Sequence, residues 1–118
     1  MPGPIQRTGH YEVLHEVVVH NGVVHLGGVV SDDLSLDMAG QTGDVLSQID
    51  RLLAAHGSSR ARLLTALIFI TDMRLKPALN GVWTQWLAPE QMPTRATIGV
   101  DDLGDGVLLE MVVTAATG

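Results

Sequence analysis

The chain has 118 residues, a formal net charge of −6 and no cysteine. A single domain of this length can bury a core without disulfides or a structural metal. The lack of cysteine excludes thiolate nucleophiles, cysteine-ligated zinc and iron–sulfur clusters. Because the only lysine is Lys76, the charge also argues against a surface that follows nucleic-acid phosphates.

The N-terminal stretch, residues 1–9, is rich in proline and glycine and predicts a loose arm on a single domain of residues 1–118. It has no apolar segment behind a positive start, and no apolar run reaches the ~18 residues of a membrane span. We therefore expect a soluble, cytoplasmic protein with neither a membrane nor a nucleic acid as partner.

Residues 16–26, EVVVHNGVVHL, predict a β-hairpin. Two β-branched runs flank Asn21-Gly22, a dipeptide that tolerates the positive φ of a two-residue type I′ turn. With this turn Val19 lies opposite Val24, and one face of the hairpin is apolar. The residues of that face are expected to belong to the core: Val17, Val19, Val24 and Leu26.

Two segments have helical periodicity. Residues 38–57 carry apolar positions at spacings of three, four and seven, with Asp37 or Ser35 as the N-cap and Gly57 as the stop. Residues 75–87 predict a second helix with an apolar side.

Three further segments predict strands: 63–71, 94–100 and 107–115, the last two joined by the turn-rich residues 101–106. The order is ββαβαββ, an α+β arrangement. Two helices cover one face of a sheet, yet 63–71 and 107–115 are apolar at odd and even positions, which requires burial on both faces. Another copy of the chain is the economical cover, with pockets between subunits; the alternative cover is the terminal arm and loops.

Arg95 opens an apolar strand and is a candidate binding residue. Arg95 and Thr97 are two residues apart, so both side chains point to the same face of a strand. A guanidinium fits a carboxylate through two parallel hydrogen bonds, and the threonine hydroxyl can donate beside it. The alternative is a salt bridge at the rim with Asp101 or Asp102.

Glu110 interrupts the apolar run VLLEMVVTA and is a candidate acid or base. A carboxylate in an apolar strand is costly unless it is paired or protonated, and desolvation raises its pKa toward a range useful for proton transfer. The alternative is an edge strand with Glu110 facing solvent. Whether Glu110 meets Arg95 within one chain depends on a strand register that the sequence leaves open; the two can also meet across a subunit boundary.

No metal site is expected. His10, His15, His20 and His25 recur every five residues, but an odd spacing alternates faces along a strand, so neighbours in the series point apart. Backbone N–H groups at a strand end such as Gly27 can still bind an anion or a carbonyl.

Four stretches in order cover nearly the whole chain: 20-HNGVVHLGGVV-30, 38-MAGQTGDVLSQID-50, 67-LIFITDM-73 followed by Asn80, and 93-PTRATIGV-100 with Glu110. Together they resemble the reactive-intermediate deaminases, the RidA or YjgF-like family. The resemblance implies a chorismate-mutase-like α+β fold with one mixed sheet and two helices on one face. It also implies a homotrimer with ligand pockets between subunits.

The resemblance implies an activity as well. Members of this type, the 2-iminobutanoate/2-iminopropanoate deaminases, hydrolyse reactive 2-imino or enamine acids to 2-keto acids and ammonia, without a cofactor or metal. Arg95 matches the family's carboxylate-binding arginine and Glu110 the glutamate associated with the water. Asn80 matches a pocket-lining asparagine, Gly27 a backbone position near the ligand, and Thr97 a position that is cysteine in the best-known deaminases.

Two other functions stay open. The position of the family's usual pocket tyrosine falls near Val13 in this chain, with Tyr11 two residues away. Because the first strand differs from the family in this way, a second hypothesis is a non-catalytic trimer that binds a small carboxylate for regulation. An endoribonuclease activity is a label used in this family, and the charge of −6 counts against it.

Overall fold

The computed structural model describes residues 3–118 and consists of one mixed sheet with two helices packed on one of its faces. The strands are β1 (Gln6–Tyr11), β2 (Leu14–His20), β3 (Val23–Leu26), β4 (Leu63–Ile70), β5 (Thr94–Gly99) and β6 (Leu109–Ala116). The helices are α1 (Met38–Ala55) and α2 (Lys76–Trp86), and short 3₁₀ helices span Arg60–Arg62, Met73–Leu75 and Pro89–Gln91. The predicted α+β architecture is confirmed.

The sheet order is β1-β2-β3-β6-β4-β5. Every neighbouring pair is antiparallel except β4 and β5, which run parallel. The expected turn between β5 and β6 therefore does not make a hairpin, because β4 lies between these strands and pairs with both. A parallel β4–β5 pair requires a crossover, and α2 provides it.

The β2–β3 hairpin and the first helix form as the sequence predicts. Asn21 has φ 48° and Gly22 φ 79°, and Val19 pairs with Val24. Asp37 is the N-cap of α1: its side chain accepts a hydrogen bond from the backbone N–H of Gly40, which satisfies a donor that the helix itself leaves unpaired.

The loose arm expected for residues 1–9 is wrong for its last part, because residues 6–9 belong to β1; residues 1–2 lie outside the described range. Strand β1 pairs with β2 through a two-residue turn at Glu12 and Val13, in which Glu12 adopts φ 39°. All six β1 residues are exposed. Backbone hydrogen bonds to β2 hold this strand, and its sequence does not alternate between apolar and polar residues. Hydrophobic periodicity therefore could not predict it.

The core lies between the sheet and the helices. On α1 it contains Val45, Leu46, Ile49 and Leu53, and on the sheet it contains Val24, Ile68, Met111 and Val113, all nearly inaccessible to solvent. The opposite face of the sheet carries alternate residues of the same strands, such as Leu67, Phe69 and Val112, and these are only half-buried. One face of the sheet is thus apolar and uncovered within a single chain.

Candidate active site

Arg95 lies on β5 and points toward the helices. It pairs with Ala66, a core residue of β4, and therefore shares the helix-covered face. Its Nη2 donates to Asn80 Oδ1 on α2 at 2.6 Å, and its Cζ lies 5.3 Å from the centre of the Trp83 ring. Partial burial lowers the pKa of Arg95 below its ordinary value, but an arginine remains charged under all ordinary conditions.

Arg95 has no carboxylate partner among residues 3–118. The ion pairs found in this range join Arg60 with Asp50 and Arg74 with Asp72. The alternative of a rim salt bridge to Asp101 or Asp102 is therefore not realised. An oriented, half-buried guanidinium without a counter-charge is suited to bind an external carboxylate.

Thr97 shares the face of Arg95, as its spacing predicts. It pairs with Ile68, which is fully buried on the helix side of β4. Its hydroxyl is buried and has no hydrogen-bond partner in the described part of the chain. A buried polar group without a partner is costly, and a ligand atom placed beside this hydroxyl would supply the missing hydrogen bond.

Glu110 lies on the other face of the sheet. It pairs with Phe69 on β4 and is half-buried. Its carboxylate packs against the backbone of Gly28, so closely that a Cβ added at Gly28 would lie 2.5 Å from Oε2. No side-chain hydrogen bond or ion pair to this carboxylate occurs within residues 3–118, which leaves both oxygens free to hold a water.

The Gly27-Gly28 segment follows β3 and places the backbone beside Glu110. Gly27 N–H donates to the carbonyl of Glu16 at 2.8 Å, so this donor is already used within the chain. The next residue but one, Val29, bridges to Met111 on β6. These two backbone contacts hold Gly28 in place over the carboxylate between them.

Arg95 and Glu110 do not meet within one chain. Arg95 is aligned through Ala66 with Val113 of β6, which lies three residues from Glu110 and on the opposite face. Two strand spacings separate β5 from β6, or ~10 Å, and the sheet lies between the two side chains. A small imino acid bound to Arg95 therefore cannot reach Glu110 of the same chain.

Two cavities in the described part of the chain are lined by residues other than Arg95, Asn80 and Trp83. One of about 260 Å³ opens beside the Gly27-Gly28 segment and is also lined by Tyr11, Leu14 and Glu16. The other, about 320 Å³, lies between α1 and α2 near Asp50 and Trp86. Neither of these two cavities is lined by Arg95 or Glu110.

Sequence reasoning missed the part played by Trp83. Its helical spacing with Trp86 is typical of core or interface residues, and Trp83 is indeed buried. It also lies one turn from Asn80 on α2, and its ring faces the guanidinium while its Nε1–H donates to Met92 Sδ at 3.2 Å. The spacing of three residues between Asn80 and Trp83 could have predicted that both lie on the same side of α2.

Neither a membrane helix nor a cluster of three or more metal-binding side chains is found in residues 3–118. None of the helices there combines the length and apolar character needed to cross a bilayer. In the same range no three or more His, Asp or Glu side chains converge as a metal site.

Comparison with known proteins identifies the family. The family model described as Endoribonuclease L-PSP matches residues 5–117. A RutC family protein of Haemophilus ducreyi is 36% identical over 101 residues, 86% of each chain. The 3-aminoacrylate deaminase RutC of Acinetobacter baylyi is 31% identical over 96 residues, 81% of this chain and 68% of that protein.

A solved structure agrees with these sequence matches. A YjgF family member from Neisseria meningitidis superposes with a TM-score of 0.90 at 35% identity, over 98% of this chain and 96% of that one. With a match from residue 5 to residue 117, this chain belongs to the Endoribonuclease L-PSP family, that of the RidA/YjgF-like proteins.

Proposed function

We propose that this protein is a hydrolytic deaminase of reactive 2-imino or enamine acids, of the 2-iminobutanoate/2-iminopropanoate type. The observation that carries the proposal is the state of Arg95: oriented by Asn80 and Trp83, half-buried, and without a carboxylate partner in residues 3–118. A relative named 3-aminoacrylate deaminase RutC supports the reaction class.

The proposed reaction needs positioning more than strong activation. Arg95 holds the substrate carboxylate, with Thr97 donating a hydrogen bond beside it. Glu110 accepts a proton from a water as the water oxygen bonds to the imine carbon. Glu110 returns that proton to the nitrogen of the tetrahedral adduct, and the remaining hydroxyl proton passes to the same nitrogen as the C–N bond breaks. Ammonia leaves, and the water oxygen becomes the carbonyl oxygen of the 2-keto acid. No cofactor or metal takes part in these steps.

The proposed active unit is a homotrimer with its sites between subunits. Arg95 and Glu110 lie on opposite faces of the sheet, so a complete site takes Arg95 from one subunit and Glu110 from a neighbour. The half-buried face around Phe69 and Val112, together with Ile98 at 43% exposure, needs a cover of apolar character. A second copy of the chain supplies one.

A coupled assay tests the activity. An amino-acid oxidase generates the imino acid, semicarbazide competes for it, and faster keto-acid release reports the deaminase. Wild-type protein should suppress semicarbazone formation, and Arg95→Ala and Glu110→Gln should each lose this effect. Full activity in Arg95→Ala would refute the proposed site.

A subunit-mixing experiment tests the shared site. Arg95→Ala and Glu110→Gln chains are unfolded together at equal amounts and refolded, with each variant refolded alone as the control. Random mixing then gives a complete site at about a quarter of the boundaries, and about a quarter of the wild-type activity returns. No recovery in mixed oligomers would show that both residues act from the same chain.

A second candidate is a non-catalytic trimer that binds a small carboxylate. It is favoured by the turn of the β1–β2 hairpin, where Val13 is 91% exposed and Tyr11 65% exposed, rather than packed at Arg95. It predicts that a 2-keto acid raises the melting temperature equally in wild type and Glu110→Gln, with no turnover by either. The family's endoribonuclease label is disfavoured by the charge of −6.

A further inference from the structure

The β1–β2 hairpin brings two histidines together that are five residues apart in sequence. His10 pairs with His15, and the next pair toward the turn is Tyr11 with Leu14. In a hairpin with a two-residue turn, the pair that flanks the turn is hydrogen-bonded and the pair after it is not. Side chains approach most closely at such a non-hydrogen-bonded pair, and the two imidazole centres lie 5.1 Å apart with planes tilted by 42°.

Both imidazoles are available to a ligand. Within residues 3–118 neither ring has a hydrogen-bond partner, whereas His20 contacts the carbonyl of Pro4 and His56 that of Leu52. His10 is exposed and His15 half-buried, so water and ions reach the pair. A neutral imidazole always presents one unprotonated nitrogen, which is the form that binds metals.

The separation of the rings fits tetrahedral coordination. With metal–nitrogen bonds of ~2.0–2.1 Å, a metal lies ~3.2 Å from each ring centre, so a tetrahedral angle sets the centres ~5.1–5.2 Å apart and a right angle ~4.5 Å apart. The observed 5.1 Å equals the separation that a tetrahedral metal requires when one nitrogen of each ring is turned toward it. Zinc prefers this geometry and takes imidazole nitrogen readily.

We propose that His10 and His15 form a two-histidine site for a tetrahedral divalent metal of the zinc class. Water or a small exchangeable ligand completes the coordination, so the site binds more weakly than one with four protein ligands. Arg7 is the arginine of β1 and pairs with Val18. It lies three residues from His10 on the same strand, so its positive charge is on the opposite face of the sheet from the two histidines. The bound metal bridges β1 and β2 and stabilises their pairing.

Zinc titration of the full-length protein tests the site. Isothermal calorimetry with ZnCl₂ should give one metal per chain for the wild type, and His10→Ala and His15→Ala should each weaken binding by about tenfold or more. His25→Ala is the matched control, because His25 is an exposed strand histidine paired with Val18 and Thr114 rather than with another histidine. Its binding should equal that of the wild type.

Cobalt provides a spectroscopic check. Co²⁺ in place of zinc should give the intense visible absorption of a tetrahedral site in wild type and His25→Ala, and lose it in His10→Gln, a variant that keeps a polar side chain on the exposed strand. Equal zinc binding by wild type, His10→Ala and His15→Ala would overturn the proposal. So would the absence of zinc uptake by the wild type at millimolar concentration, or an octahedral cobalt spectrum.

Discussion

Replacing Gly28 by alanine tests whether the position of Glu110 matters for turnover. The new Cβ would lie 2.5 Å from Glu110 Oε2, 2.8 Å from its Cδ and 3.1 Å from its Cγ. Carbon and neighbouring heavy atoms pack best at ~3.5–4.0 Å, so the carboxylate must move by about 1 Å. Gly28 is not among the glycines with positive φ, and alanine is therefore compatible with its backbone.

The expected effect falls on activity and not on folding. A displacement of about 1 Å at a reacting group lowers the rate by about 100-fold, which corresponds to about 2.7 kcal/mol of transition-state free energy. Turning the glutamate away from a preferred rotamer costs about 0.5–1.5 kcal/mol. Because glycine-to-alanine replacement restores about 0.4–1 kcal/mol through the unfolded chain, the free energy of unfolding should change by less than about 1 kcal/mol.

The assay is kcat/KM for keto-acid release, measured beside a urea unfolding curve. Gly43→Ala is the control, since Gly43 lies on an exposed part of α1 and a Cβ there meets nothing within 4 Å; its activity should equal that of the wild type. If Gly28→Ala folds normally and keeps full kcat/KM, the position of Glu110 is not important for the reaction and its role as the base is refuted.

Three further changes act on stability. Arg60→Ala removes two hydrogen bonds to Asp50 in an ion pair that is partly exposed to solvent. The free energy of unfolding measured in urea should therefore fall by about 1 kcal/mol, and an unchanged midpoint would contradict this. Gly43→Ala should raise the free energy of unfolding by about 0.5–1 kcal/mol through helix propensity, and a loss would indicate an unrecognised contact. The backbone N–H of Asp32 donates to Asp44 and holds the pKa of Asp44 below its ordinary 3.8, so Asp44→Asn should lower stability at neutral pH. That difference should close as pH falls below about 3.8 through the folded-state pKa, and a difference that persists at lower pH would refute the assignment.

The features predicted correctly from sequence are those with a local physical signal. Asn21-Gly22 supplies positive φ values within two residues, and Asp37 caps the helix that begins at the next residue. Arg95 and Thr97 share a face because the strand period of two holds for any pairing. The candidate residues themselves came from residue types out of place in apolar strands and from the family resemblance.

The errors concern which strands pair with each other. The parity argument for His10 and His15 assumed one continuous strand, and a turn at Glu12 and Val13 reverses it. Likewise, the loop after β5 resembles a hairpin turn, yet β4 lies between β5 and β6 and pairs with both, so these two strands form no hairpin. Backbone hydrogen bonds between strands determine this pairing, and the periodicity of the side chains does not reveal it.

The sequence by itself determined the α+β class, the helices and the residues that carry the candidate chemistry, because composition, caps and apolar periods act over a few neighbouring positions. The tertiary structure decided where those residues lie. It placed Arg95 against Asn80 and Trp83 on the helix side of the sheet and Glu110 against Gly28 on the other side. The physical reason is that a strand shows its two faces in the sequence, whereas its partners, its direction and the side of the sheet that the helices cover are set by contacts across the whole chain.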